Sequence, residues 1–157
     1  MTDAERLQWL VDREQIRETV YRYPVAVDSR DWKLFRSLFT DEVDILLTTA
    51  AHPARPRQIV KADNFTKGVD KVISSFQVTQ HFITDYHVEV KGDDAICLCY
   101  MQARHFPPKE KPGQPIWDIG GHYTYDLKRT AEGWKIPKYT LMVTWETGRP
   151  SDLKLDV

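Results

Sequence analysis

The chain has 157 residues, of which 41% are hydrophobic and 29% are charged, and its formal net charge is -1. This length and composition predict one globular domain over residues 1–157. The near-neutral charge excludes a basic surface for nucleic acid or for an anionic membrane. No run approaches the roughly 18 apolar residues that a membrane-spanning helix needs. The polar, acidic N-terminus is unlike a targeting signal, so we expect a cytoplasmic protein.

Two helices are predicted before the first strand. Apolar residues recur at helical spacing from Asp3 to Ser29, and Pro24 within this run is expected to kink or divide the helix. A short helix from about Asp31 to Leu38 follows, with Asp31 as its N-cap. A third helix is predicted from Ala62 to Phe76, where the apolar residues again fall on one face.

The other periodic segments predict strands, and Thr40-Asp41 predicts a turn before the first of them. The strands are expected at Glu42 to Thr48, Ile59-Val60, Val78 to Lys91, Ala95 to Phe106, Ile116 to Arg129 and Trp134 to Glu146. Residues 50–57 and 107–115 are proline-bearing loops. This order predicts an α+β fold. We expect a curved, mixed, mainly antiparallel sheet that forms a cone-shaped barrel with three helices around an apolar cavity.

Two cysteines and five histidines are the remaining reactive side chains. Cys97 and Cys99 stand two apart in one strand, a poor geometry for a disulfide, so both are expected to be reduced packing residues. Of the histidines, His52 and His87 are expected to be exposed, and His122 to lie at the surface or in an interface.

Three residues on separate elements are candidates for catalysis. Asp28 ends the first helix, where a carboxylate is poorly placed for the helix dipole, and a specific partner would explain it. Strand alternation places His81 on one face with Thr79, Ile83 and Asp85, and opposite Phe82 and Tyr86. His105 ends a row of small or apolar residues on the next strand. A carboxylate bonded to an imidazole forms a general base.

Each of these residues also has a structural interpretation. Asp28 could be a turn residue that caps the next helix. His81 could be a core histidine with satisfied hydrogen bonds, and His105 could be a histidine in contact with water at the end of the sheet. The hydroxyl of Tyr23 could polarise a carbonyl if it points into the cavity, although an aromatic residue in a helical stripe is more often core.

Six apolar residues are candidate walls of a substrate pocket, with core packing as the alternative for each. They are Phe35, Phe39, Ile83, Met101, Trp117 and Met142. Asp28, His81 and His105 could imitate a two-histidine, one-carboxylate metal site. No His-x-His or Glu-x-x-His spacing supports such a site, and the sequence has no glycine-rich phosphate loop. We therefore expect neither a metal nor a cofactor.

From about Glu5 to Thr147 the chain resembles SnoaL-like proteins of the nuclear transport factor 2 fold. The similarity is carried by the order of elements, by Asp28, by His81 and by the stretch Gly-Gly-His-Tyr-Thr-Tyr-Asp-Leu-Lys-Arg-Thr that starts at Gly120. Members include scytalone dehydratase, ketosteroid isomerase, bile-acid dehydratase and limonene epoxide hydrolase. The chain is most similar to the dehydratase-like branch, which it matches at Tyr23, Asp28, His81 and, in the scytalone dehydratase pattern, His105. The resemblance implies that His81 is the base, that Asp28 orients it and that a tyrosine polarises a carbonyl.

Three functions remain open at this point. The first is a cofactor-independent dehydratase or isomerase for an apolar, oxygenated polycyclic or aromatic molecule, such as a polyketide, steroid or terpenoid intermediate. The second is a non-catalytic module of the same fold that binds a small molecule or a protein partner. The third is an epoxide hydrolase, for which Arg104 is available although alternation points it away from His105. Self-association through the outer face of the sheet, as a homodimer or homotrimer, is also expected.

Overall fold

The computed structural model of the chain describes residues 1–49, 56–151 and 153. Its elements follow the predicted order. They are α1 (Asp3–Ser29), α2 (Trp32–Ser37), β1 (Phe39–Thr49), β2 (Gln58–Lys61), α3 (Ala62–Ile73), β3 (Val78–Lys91), β4 (Asp94–Phe106), β5 (Trp117–Thr130) and β6 (Gly133–Thr147). None of the described helices is long and apolar enough to cross a membrane. His52 and most of the predicted 50–57 loop lie outside the described residues.

Helix α1 begins with a capping box in which Thr2 and Glu5 satisfy each other's backbone N–H groups. It ends at Arg30, whose φ of 55° is left-handed. Of the two effects predicted for Pro24, division of the helix is wrong, because one continuous helix runs through it, and a kink stays a prediction. Val20 and Val27, on either side of Pro24, are 0% and 1% exposed. Their burial holds both halves of the helix against the sheet, which offsets the hydrogen bond that proline removes.

The six strands form one sheet in the order β2-β1-β6-β5-β4-β3. All neighbours are antiparallel except β1 and β6, which run parallel. The predicted mixed, mainly antiparallel α+β architecture is therefore confirmed. The predicted turn at Thr40-Asp41 is wrong, because β1 already begins at Phe39. Its register with β6 shifts between Phe39 and Asp44, so these polar residues occupy an irregular stretch of strand.

Strand β3 carries a bulge that changes which side chains face inward. Its register with β4 shifts between Thr84 and His87, and Asp85 has a left-handed φ of 56°. Before the bulge, Thr79 and His81 lie on one face, as predicted, and this face is the inner one. After it, Tyr86 packs against the core and Asp85 is exposed, so the predicted faces of these two residues are reversed.

Aromatic rings fill the space between the sheet and the helices. Tyr23 packs within 6.0 Å, centroid to centroid, of Phe35, Tyr123, Tyr125 and Tyr139. Phe39 and Phe65 extend this aromatic cluster beneath α2 and α3. Cys97 and Cys99 are buried free thiols on the same face of β4, as predicted.

The opposite face of the sheet exposes apolar side chains, including Phe82, Tyr100, Met142 and Trp145. Met142 is 39% exposed there and pairs with His122, so its predicted place in a pocket wall is wrong. Homodimer or homotrimer formation through this outer face stays a prediction.

Candidate functional site

The end of α1 and the start of β3 bring Asp28 and His81 together. Asp28 Oδ1 lies 2.7 Å from His81 Nδ1, and Asp28 Oδ2 accepts the backbone N–H of His81 at 2.8 Å. The hydroxyl of Thr79 donates to Asp28 Oδ1, also at 2.8 Å. Asp28 therefore does not cap the next helix. That role belongs to Asp31, whose side chain accepts the N–H of Leu34.

These contacts set the protonation of the pair. Burial by itself would raise the pKa of Asp28, but the hydrogen bonds from His81 and Thr79 outweigh it and hold that pKa below its usual value. Because an ionised carboxylate only accepts, Nδ1 of His81 carries the proton. Nε2 then holds a lone pair, and no described residue makes a hydrogen bond to it. The side chains of His81 and Asp28 are only 6% and 25% exposed, so water reaches them poorly.

His105 lies beside His81, with the two rings in an edge-to-face arrangement at a centroid distance of 5.4 Å. It is 2% exposed, so it does not meet water at the end of the sheet. Its Nδ1 donates to the carbonyl oxygen of Trp117 at 3.1 Å. Burial lowers the pKa of His105 to about 4, with the neighbouring His81 adding to this effect. His105 is therefore neutral near pH 7, with Nε2 as an acceptor.

His105 belongs to a three-ring cluster with Phe76 and Trp117. The ring centroid of His105 lies 4.4 Å from that of Trp117 and 5.0 Å from that of Phe76. The rings of Phe76 and Trp117 stack on each other with a centroid distance of 5.8 Å. Helix α3 was predicted to reach Phe76 but ends at Ile73, and Phe76 lies in the connection to β3. The Trp117 indole N–H donates to Glu146 Oε2 at 3.1 Å. Sequence reasoning missed Phe76 as a site residue and missed Glu146 altogether.

A cavity of about 270 Å³ adjoins Phe76. It lies between the end of α3, the connection from β4 to β5 and the segment after β6. Its lining residues are Lys71, Val72, Ser75, Phe76, Lys111, Gln114, Pro150 and Leu153. Since the Phe76 ring also contacts His105, this cavity borders the three-ring cluster.

Tyr23 lies deeper in the aromatic cluster. Its hydroxyl is 3.0 Å from that of Tyr139, and burial raises its pKa to about 12, so it remains a neutral phenol. Of the predicted pocket walls, Phe35 and Phe39 belong to this cluster. Trp117 lies beside His105, and Met101 is buried at 4% exposure.

Ile83 is half-buried and packs against the core, two residues after His81. Arg104 points to the outer face, as alternation predicts, and its guanidinium pairs with Asp118 at 2.9 Å. This orientation directs Arg104 away from the Asp28–His81 pair.

Known proteins resemble this chain over most of its length. The model of the SnoaL-like domain family matches residues 8–140. Terrestric acid biosynthesis cluster protein E of Penicillium crustosum is 29% identical over 150 residues, which cover 88% of this chain and 87% of that protein.

Many solved structures share the fold, and two of them serve as examples. The Kfla4162 protein of Kribbella flavida is 26% identical with a TM-score of 0.79, covering 92% of this chain and 95% of that chain. A Novosphingobium aromaticivorans protein provisionally named scytalone dehydratase is 19% identical with a TM-score of 0.73, covering 92% and 91%. The family match, over residues 8–140, spans more than half of the sequence. The chain therefore belongs to the SnoaL-like domain family.

Proposed function

We propose that this protein is a cofactor-independent lyase of the dehydratase type, or an isomerase, in which His81 is the general base. The observation that carries the proposal is the hydrogen bond of 2.7 Å between Asp28 and Nδ1 of His81. It leaves the lone pair of Nε2 directed away from the carboxylate, inside a site with little water. A non-catalytic binding module has no need to bury such a pair, because burial of an ionised carboxylate costs free energy.

In the proposed reaction, Nε2 of His81 takes a proton from a carbon next to a carbonyl group of the substrate. The electron pair of the broken C–H bond moves toward the carbonyl oxygen and forms an enolate. When the pair returns, the bond to a hydroxyl group on the adjacent carbon breaks. This hydroxyl takes the proton from His81 and leaves as water. Without a leaving group, the proton returns to a different carbon and the product is an isomer.

Asp28 supports the base in two ways. Its carboxylate fixes the ring so that Nε2, and not Nδ1, faces the substrate. It also stabilises the imidazolium that forms after proton transfer, since a hydrogen bond to a charged group contributes about 1.5–3 kcal/mol. Thr79 and the His81 backbone N–H hold the carboxylate itself, so the orientation is fixed before substrate binds.

His105 and Tyr23 take secondary roles in the proposal. His105 is neutral near pH 7, so it accepts a hydrogen bond from a substrate hydroxyl and does not supply a proton to the leaving group. Tyr23 is a neutral phenol, and it polarises the carbonyl oxygen directly or through water. The apolar walls Ile83, Met101 and Trp117 suit an apolar, oxygenated ring compound. The similarity to a biosynthesis cluster protein supports a substrate from small-molecule biosynthesis.

Hydrogen exchange in D₂O tests the proton abstraction without knowledge of the product. Cyclic ketones with and without a β-hydroxyl group are incubated with the protein, and deuterium uptake and loss of water are followed by mass spectrometry. We expect His81→Gln to lower both rates by about 10²–10⁴-fold and Asp28→Asn to lower them substantially. His87→Gln, at an exposed histidine of the same strand, is the matched control. Full activity of His81→Gln contradicts the proposal, and binding of a ketone without exchange favours the non-catalytic module.

A further inference from the structure

Trp117 contacts His105 with both its backbone and its side chain. The carbonyl oxygen of Trp117 accepts the Nδ1–H of His105 at 3.1 Å, and its indole ring lies against the imidazole at 4.4 Å with an interplanar angle of 32°. One residue therefore fixes both the edge and one face of the imidazole. The direction of His105 Nε2 depends on how firmly the indole is held.

The indole is held by a carboxylate on the neighbouring strand. Glu146, near the end of β6, accepts the Trp117 Nε1–H at 3.1 Å. Its side chain is only 14% exposed, and Arg149 lies 3.6 Å from its other oxygen. Hydrogen bonds to ionised acceptors are stronger than those to neutral ones. A buried indole N–H that loses its hydrogen-bond acceptor costs free energy, so the indole ring would rotate toward another acceptor.

We propose that Glu146 is a positioning residue for the active site: by holding the Trp117 indole, it keeps the His105 ring packed and its Nε2 directed at the substrate. The positioning of His105 stands on the geometry alone, and its consequence for turnover rests on the function proposed above. Phe76 completes the enclosure, because it contacts both Trp117 and His105. Loss of the Glu146 contact should therefore loosen the three-ring cluster and admit water to His105.

The histidine Cε1–H resonances in NMR report this directly, since they follow the titration of each ring. The charged or titratable groups around His105 are His81 on β3, Asp28 at the end of α1 and Asp118 on β5. None of them is altered by a change at Glu146. In the unaltered protein we expect a midpoint for His105 near 4. Glu146→Ala should move it toward the ordinary 6.5 as water enters. Glu146→Gln, whose amide oxygen still accepts the indole N–H, should restore most of the low value.

Asp126→Asn is the matched control, because Asp126 is an ion-paired carboxylate of β5 that faces away from this cluster. It should leave the His105 midpoint unchanged. If Glu146→Ala does not fold, Trp117→Phe removes the same N–H and keeps a stacked ring, and it should shift the midpoint in the same direction. An unchanged midpoint in the folded variant overturns the proposal.

Activity then separates this proposal from the previous one. If His81 is the base, Glu146→Ala should raise KM and lower kcat, and Glu146→Gln should recover both. If His81→Gln retains full activity but the His105 midpoint still shifts in Glu146→Ala, then the positioning is correct and the proposed reaction is not.

Discussion

Acid should destabilise the protein through His105 before Asp12 and Asp28 are protonated. In the folded state, burial lowers the pKa of His105 from 6.5 to about 4. In the unfolded chain the same ring titrates at its ordinary value. Between these two pH values the imidazole is protonated in the unfolded state but neutral in the folded state. The free energy of unfolding therefore falls as the pH falls. The contribution of the neutral, buried His105 to the free energy of unfolding is fully present above pH 6.5 and is lost near pH 4.

The expected loss is about 3 kcal/mol at the acid end of this window. No reduction for solvent screening applies, because His105 is 2% exposed. A loss of this size is a large part of the 5–15 kcal/mol that stabilises an ordinary domain. Asp12 and Asp28 both have lowered pKa values, so their contributions are lost at lower pH.

Urea unfolding followed by tryptophan fluorescence, at steps between about pH 7 and pH 4, measures this dependence. His105→Gln cannot take up the proton and should show a much flatter dependence on pH. His87→Gln removes an exposed histidine and should follow the unaltered protein. If His105→Gln and the unaltered protein lose stability in parallel, the buried, neutral state of His105 is refuted.

Two further predictions concern the packing of α1 and the sheet, and both are measured by urea unfolding. Asp12→Ala should lower the free energy of unfolding by about 1–2 kcal/mol, because both oxygens of this buried carboxylate accept from Arg129, at 2.7 and 2.8 Å. The cost stays moderate because Arg129 is 32% exposed and keeps its ion pair with Asp93. Glu14→Ala, on the exposed side of α1, should cost less than about 0.5 kcal/mol. Met101→Ala should cost about 2–5 kcal/mol, whereas Met142→Ala, on the outer face, should cost less than about 1 kcal/mol. The reverse order for the two methionines would contradict the assignment of the inner and outer faces.

The order of elements and the meeting of Asp28 with His81 were both within reach of the sequence. Long helical and alternating periods fix the type of each element, because they reflect which face is buried. Asp28 and His81 were paired by a resemblance to a family and by their places at a helix end and on an inward strand row. The sequence does not predict the hydrogen bonds themselves or Thr79 as a third member, which only the structure shows.

Local irregularities account for the errors on the strands. Asp85 adopts a left-handed conformation inside β3, and the sequence gives no sign of it because the residue is not a glycine. The bulge at this point reverses the faces of the following residues. The apolar side chain of Met142 predicts an inward position, but alternation from the buried Tyr139 and Val143 points it outward. The polar pair Thr40-Asp41 suggested a turn, but it lies in an irregular stretch of β1.

The partners of His105 were out of reach for a different reason. Trp117 and Glu146 are separated by 29 positions and meet through the pairing of β5 and β6. Alternation predicts the face of a side chain but not which atom it bonds across the sheet. Phe76 was assigned to a helix, so its contact with the imidazole could not be foreseen.

The parallel pairing of β1 with β6 determines when this protein can complete its fold. Of the described strands, β6 is synthesised after the other five, yet it lies between β1 and β5 in the sheet. Until it emerges, β1 and β2 have no strand pairing with β3, β4 and β5. Joining these halves requires contacts between segments roughly a hundred residues apart, which are slow to form. A nascent chain that stalls before Gly133 therefore leaves the strand edges that β6 would cover unpaired, and such open edges are prone to aggregation.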